Sequence, residues 1–435
     1  MINSRITRVL NSEKFILLMV FSACIYAAFK DSWRLLADIF QTFLLLSSLI
    51  TLVIHWPFFK REKLLWLLPI ALIVQLSSWL YSLHFYPEIA TDSPQLGRFL
   101  EFFVFFFIAF WLRSNEKYIW VMLAFFVFGS IFTLNYHASI LAEISVGLSG
   151  ARVDFDYRNA QHGALIIGAS ILISVCFLSK LVKESPKSIT LIVTSLLLII
   201  FLIILQSIMQ TRQAILGIAL SLVCAKVYSH YNRGKLNIKT LSFIFSIGML
   251  FILIGLESDI LYQRLKSELY VITDYILTGD FTNTPYTSIG IRIQLWYESV
   301  KWLIKSPFLG FGNGIEPHII EHSSRLAASV TEEFKHVHNS YIATMLRFGF
   351  IGLIMCFILL VFPIVELFRC TIKDKHTQNI KYLAVMFLVY WLIVNTFESF
   401  WYMKSGLWTY TVFMAVIYTI PLSRRYEKYL ESLDN

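Results

Sequence analysis

The chain has 435 residues, of which 57% are hydrophobic and only 15% charged, and its mean hydropathy is +0.66. A soluble protein carries roughly a quarter charged residues, so this composition excludes a soluble globular fold, along with disorder, collagen and a small disulfide scaffold. The net charge of +9 arises from 37 basic and 28 acidic side chains. The basic residues sit in short clusters between apolar runs, the pattern of membrane orientation and not of a nucleic-acid groove.

Residues 1–14 carry Arg5, Arg8 and Lys14 ahead of an apolar run, with no small-residue cleavage site after it. This start reads as a signal anchor, the first spanning helix. A span needs about 20 apolar residues, and about twelve such runs follow one another. They lie near 15–30, 33–54, 64–83, 97–112, 118–137, 161–179, 188–209, 212–229, 238–256, 348–368, 380–399 and 405–422. Each is too evenly apolar for a half-buried strand, and the alternation of an outer-membrane barrel is absent. The expected fold is all-α, a polytopic membrane protein of about twelve transmembrane helices.

Basic clusters fall on every second connection, among them Lys60, Arg61 and Lys63, then Lys180, Lys183 and Lys187, then Arg424, Arg425 and Lys428. The positive-inside rule then places both termini in the cytoplasm. Two segments on the outer side stand out. One is 138–160, with GARVDFDYRNAQH; the other is 257–347, the one long polar stretch. Long loops in a compact protein are usually functional. The chain divides into 1–256 with nine spans, the external loop 257–347, and 348–435 with three spans and the C-terminus. The five cysteines (Cys24, Cys176, Cys224, Cys356 and Cys370) avoid the loop and have neither metal nor disulfide-framework spacing.

Within the loop, GIRIQLWYESVKWLIKSP reads as an amphipathic helix at the membrane surface, with Ile291, Leu295, Val300 and Leu303 on its apolar flank. Pro307 ends it, FLGFGNG turns, and a second polar helix is expected over 316–335. His338 stands at the outer interface, where an imidazole is the usual proton acceptor at neutral pH. Arg212, pinned between two apolar runs, needs a counter-charge, a bound anion or lipid phosphate. With Arg292 it offers bidentate guanidinium donors suited to a phosphorylated lipid. Other patterns are weaker. His318, Glu321 and His322 form an HxxEH pattern that lacks a third zinc ligand. Asp154 and Asp156 resemble a metal-binding pair, and a solvated or arginine-paired state serves them better. Gly310, Gly312 and Gly314 lack the lysine of a phosphate loop and read as a turn. His84, His137 and His162 have no partner spacing.

The stretch GIRIQLWYESVKWLIKSPFLGFGNG followed by HNSYIATMLRFGFIG resembles the O-antigen ligase/polymerase superfamily of bacterial inner-membrane proteins. The carrying residues are Arg292, Trp296, Pro307, Gly310, Gly312, His338, Asn339, Tyr341, Gly349 and Gly352. The similarity is greatest to O-antigen ligases of Gram-negative bacteria. It implies a GT-C-like membrane glycosyltransferase that moves a glycan from undecaprenyl diphosphate to a sugar of lipid A–core on the periplasmic face. It also implies a catalytic His at His338, with Arg292 and Arg212 essential. Substrate contacts are expected at Arg152, Arg158, Asn339, Tyr341 and Glu398. The donor is already activated, so the resemblance implies no metal, no cofactor and no nucleotide sugar. The alternatives are an O-antigen polymerase, a protein O-oligosaccharyltransferase, a polyprenyl-linked glycan transporter and a zinc peptidase.

Overall fold

The computed structural model describes residues 7–231, 287–371 and 374–434, together with Thr273. Among them it is helical throughout. Nine helices are long and apolar enough to cross a membrane. They are Arg34–Ile54 (α2), Lys63–Phe85 (α3), Glu116–His137 (α6), Ala160–Glu184 (α8), Ile189–Ile208 (α9), Arg212–Tyr231 (α10), Ser340–Arg369 (α14), Lys375–Phe397 (α15) and Lys404–Asp434 (α16). The chain is therefore a multi-pass membrane protein, with nine such helices among the described residues where the sequence suggests about twelve spans. The run at 15–30 forms the 17-residue helix Glu13–Phe29 (α1). The run at 97–112 breaks into Gly97–Glu101 (α4) and Val104–Leu112 (α5). The ninth run, 238–256, and most of the first part of the loop lie outside the described residues.

Helix starts are set by short polar side chains that accept the otherwise unpaired first-turn N–H groups. Asn115 does this for α6, Asn159 for α8, Asn339 for α14 and Asp374 for α15. Between α6 and α8 lies the short helix Ile140–Leu148 (α7).

The last helix forms the axis of the bundle. The whole membrane-crossing stretch of α16 is buried, against 22% of that of α9. It packs against α5, α8, α14 and α15. Lipid is as apolar as leucine, so an all-aliphatic helix gains nothing by moving inward, whereas hydroxyls gain partners there. Accordingly α9 (ITLIVTSLLLIIFLIILQSI) faces outward. The interior of α16 buries Ser405, Thr409, Thr411, Thr419 and Ser423 beside Trp408, Tyr410 and Tyr418. At one end of the bundle Arg425 joins α16 to Glu62 at 2.8 Å and to Glu366 of α14 at 3.0 Å.

The opposite end carries the loop. Ser288–Lys305 (α11) forms the expected amphipathic helix, but its apolar residues divide between two sides. Leu295 is buried against Ile320, Leu326 and Val330, whereas Val300 and Ile304 are exposed. The single helix expected over 316–335 is instead two short ones, Ile315–Glu321 (α12) and Ala328–Glu333 (α13). The break has a local cause: the Ser323 hydroxyl accepts the Arg325 and Leu326 N–H groups, a serine turn that competes with helical bonding.

The glycine turn docks on a break in α14. Phe311 N–H donates to Leu346 O, Gly312 N–H to Arg347 O, and Phe350 N–H to Pro307 O. Gly349 sits inside α14 at φ +63°, and a Cβ there would lie 2.1 Å from Phe308 O. Gly310, at φ +67°, has the Arg347 carbonyl carbon 2.5 Å from the same position. Only glycine takes this conformation cheaply at such close approach. The glycines thus join the loop to α14 and fix the segment that precedes it.

Candidate active site

His338 lies just before the Asn339 cap of α14 and is 6% exposed. Its φ of +52° is left-handed, unusual for a side chain of this size. The neighbouring backbone is pinned on both sides. Val337 N–H donates to Glu316 Oε2 at 2.9 Å, and Trp296 Nε1 of α11 donates to Val337 O at 2.9 Å. Glu316 itself is fully buried and paired with Arg347. A buried ion pair resists breaking because either partner left alone is a bare charge in a poor solvent.

Glu398, at the turn after α15, is fully buried. Its Oε2 meets His338 Nδ1 at 2.9 Å and its Oε1 meets His336 Nε2 at 2.8 Å. The two imidazole rings lie 4.0 Å apart. Ser399 N–H also donates to Glu398 Oε1 at 2.9 Å. With Nδ1 committed to the carboxylate, His338 presents Nε2, a buried nitrogen without a hydrogen-bond partner among the described residues.

The electrostatics separate the two histidines. Burial pushes the His338 pKa below its ordinary value, against the pull of Glu398. Burial is also the largest influence on His336 and lowers it, but the bond to Glu398 together with the negative fields of Glu398 and Glu316 outweighs that and raises it. Burial alone would raise Glu398; the bonds from His336 and His338 instead hold it well below the usual carboxylate range. The shifts thus favour charge on Glu398 and His336 and the neutral form of His338.

Two adjoining cavities open beside this set. The first, of about 500 Å³, is lined by Arg152, Arg212 and Arg292 with Gln161, Thr211 and Ser288 among others. The second, of about 420 Å³, shares Arg152, Arg292, Gln161 and Ser288, and adds His338, Asp154, Asn159 and Glu333. Three helices point their N-termini here: α8 through Asn159, Ala160 and Gln161; α10 through Thr211, Arg212 and Gln213; and α11 through Thr287, Ser288 and Ile289. A helix N-terminus carries about half a positive charge and unpaired N–H groups. Three of them with three arginines make a site for a polyanion.

Gln161 joins the two halves. In the amide orientation that matches donors to acceptors, it donates to Glu398 Oε2 at 3.1 Å and accepts from Arg292 Nη2 at 3.0 Å. Arg292 Nη1 also donates to the Ser288 hydroxyl at 2.8 Å, and Arg152 Nε to Met209 O at 3.3 Å.

The structure thus brings Arg152, Arg212, Arg292, His338 and Glu398 together, and it places three other expected residues elsewhere. Arg158 pairs with Asp31 and lines neither cavity. Asn339 spends its side chain on the Tyr341 and Ile342 N–H groups. The Tyr341 hydroxyl donates to Leu392 O at 2.8 Å, and its ring stacks on Phe357. Sequence reasoning passed over His336, two residues before His338 in HVHN, and Gln161 in NAQH. The i, i+2 histidine spacing was the available signal for the first.

Among the described residues, His336, His338 and Glu398 are the group of potential metal ligands whose atoms lie within 4.8 Å of one another. Both carboxylate oxygens and both facing nitrogens are spent on hydrogen bonds within the group, so a cation would have to displace them. In the HxxEH pattern, Glu321 pairs with Lys335, and the His318 and His322 rings stack 4.3 Å apart. The Asp154 carboxylate accepts the Asp156 N–H at 3.0 Å, closing a turn.

Residues 194–357 match a protein-family model described as O-antigen ligase. A curated protein from Haemophilus influenzae (strain ATCC 51907 / DSM 11121 / KW20 / Rd), described as an uncharacterized protein, is 26% identical over 191 residues. That match covers 41% of this chain and 44% of the relative, so less than half of the relative's length is spanned.

Proposed function

We propose that this chain, which carries an O-antigen ligase family domain over residues 194–357, is an O-antigen ligase of the bacterial inner membrane. It transfers a glycan from undecaprenyl diphosphate to a sugar hydroxyl of lipid A–core, with both termini cytoplasmic and the reaction at the periplasmic face. The observation that carries this reading is the pair of adjoining arginine-lined cavities, set at three helix N-termini, the second lined also by His338, whose Nε2 has no hydrogen-bond partner among the described residues.

The donor's diphosphate occupies the arginine cavity, where Arg152, Arg212 and Arg292 hold its oxygens. The acceptor sugar occupies the adjoining cavity beside His338. Its hydroxyl oxygen forms a bond to the anomeric carbon as the bond from that carbon to the phosphate oxygen breaks. The hydroxyl proton passes to His338 Nε2, and the electron pair of the breaking bond leaves with the lipid diphosphate. Negative charge grows on the leaving group, where fixed cations stabilise it most. Glu398 holds the imidazole through Nδ1, leaving Nε2 to take the proton, and stabilises the imidazolium that forms, as a buried carboxylate does for other histidine bases. Attack opposite the leaving group inverts the anomeric centre. No step needs a metal or a nucleotide.

The test is reconstitution of the purified protein with undecaprenyl-linked glycan and, in separate arms, lipid A–core, a second lipid-linked glycan, or a protein acceptor. Consumption of lipid A–core supports ligase activity. Consumption of the second lipid-linked glycan makes the protein a polymerase, and glycosylation of the protein makes it an oligosaccharyltransferase. Glycan crossing the bilayer without transfer in any arm makes it a transporter.

A further inference from the structure

We propose that His336 is a positioning residue: it carries the positive charge that balances buried Glu398 and so leaves His338 as the neutral base. This inference rests on the proposed glycosyl transfer and adds a second histidine to it.

The geometry supplies the reason. Glu398 is fully buried, and each oxygen takes one imidazole, His336 Nε2 at 2.8 Å and His338 Nδ1 at 2.9 Å. An ionised carboxylate in such a place needs a compensating charge. With neither histidine charged, Glu398 stands uncompensated. With both charged, two cations lie 4.0 Å apart, ring to ring. One proton shared between the two rings is the balanced state.

Its location follows from the surroundings. Arg292 faces His338 and disfavours a charge there. The His336 side chain is 24% exposed against 7% for His338, so water solvates the charge better on His336. Towards His336 also face Glu316 and Arg347, but these two are paired with each other. His162, at the start of α8, shares the field of His336 and Glu398 and bonds to Ser405 at 2.6 Å. The directions of the two histidine shifts agree with this placement.

Removing the charge on His336 hands the compensating proton to His338. The base then enters the reaction already protonated at neutral pH. Activity returns only when the pH is raised enough to strip that proton.

The experiment measures kcat against pH, from about 5 to 9, for the full-length protein in proteoliposomes with lipid-linked glycan and its acceptor. The variants are His336→Gln, His336→Arg and His338→Ala. His336→Gln keeps a donor to Glu398 without the charge. We expect its acid limb to move up by about one unit, which costs about tenfold well down that limb and no more than about threefold at pH 7. Its rate recovers towards wild type near pH 9, and the donor KM is unchanged. His336→Arg keeps the charge and leaves the acid limb in place. A uniform loss at every pH, or an unmoved acid limb in His336→Gln, overturns the proposal. If the variants do not fold, histidine-labelled wild-type protein still decides it by NMR: a neutral His336 at pH 7, or a charged His338, overturns it. Failure of wild-type protein to transfer glycan, or full activity in His338→Ala, strikes the proposed function itself and is separate from either outcome.

Discussion

His338 Nδ1 meets Glu398 Oε2 at 2.9 Å although 60 residues and two membrane helices, α14 and α15, separate them. Both residues sit where a helix begins or ends, so the pair depends on how α14 and α15 are set against each other. Glu398→Gln removes the negative acceptor and leaves the amide free to present either end to the imidazoles. We expect transfer to fall by at least tenfold, with lipid-linked donor still bound, as read from separate kcat and donor KM values.

The three arginines are not equivalent to a diffuse positive surface. Arg292→Ala and Arg212→Ala should each cut transfer by two orders of magnitude or so, about 3 kcal/mol at the transition state. Arg292→Lys should restore only part of this, because an ammonium cannot make the bidentate contact. Arg158→Ala, in contrast, removes a partner of Asp31 outside the cavities. Its transfer rate should stay within about twofold of wild type, and a hundredfold loss there would relocate the donor site.

The acid limb of the wild-type profile should fall below pH 6.5, because burial lowers the His338 pKa. The pairing around Glu398 also contributes stability within a window. Glu398 is depressed, so its contribution is present above its unfolded value near 4.5 and is lost as pH falls further. His336 is raised, so its contribution is full below 6.5 and is lost as pH rises through its higher folded value. Thermal unfolding followed across pH should therefore show the external segment most resistant between these limits.

Metal chelation and removal of the HxxEH histidines test the zinc alternative together. Chelator treatment and the double substitution His318→Ala/His322→Ala should each leave transfer within about twofold of wild type. Bound zinc by elemental analysis, with activity lost in chelator and restored by the metal, would favour the zinc alternative over the base mechanism.

Much of this architecture was legible in residues. Apolar runs gave the helices because backbone groups in lipid must be satisfied within each segment. The motif around Pro307, Gly310 and Gly312 marked a turn because φ values of +67° and +73° at the two glycines demand it. What escaped was long-range. That α16 forms the buried axis goes with polar contacts to distant segments, Ser405 to His162, Tyr410 to Leu359 O and Tyr418 to Glu62, which no local pattern reveals. The break at Ser323 was hidden because a serine turn and a polar helix share composition. Asn339 and Tyr341 lie in the same motif as His338, yet the structure spends them on capping and packing. Proximity in sequence therefore marked the segment without distinguishing the chemistry of its members.

The most direct test is the rate of glycan transfer by purified, reconstituted His338→Ala at saturating donor. A general base contributes roughly 10²–10⁴-fold, so a loss of that size with donor binding intact is the expected result. Transfer at the wild-type rate would show that the unpartnered Nε2 of His338 takes no proton, and that the reaction runs elsewhere.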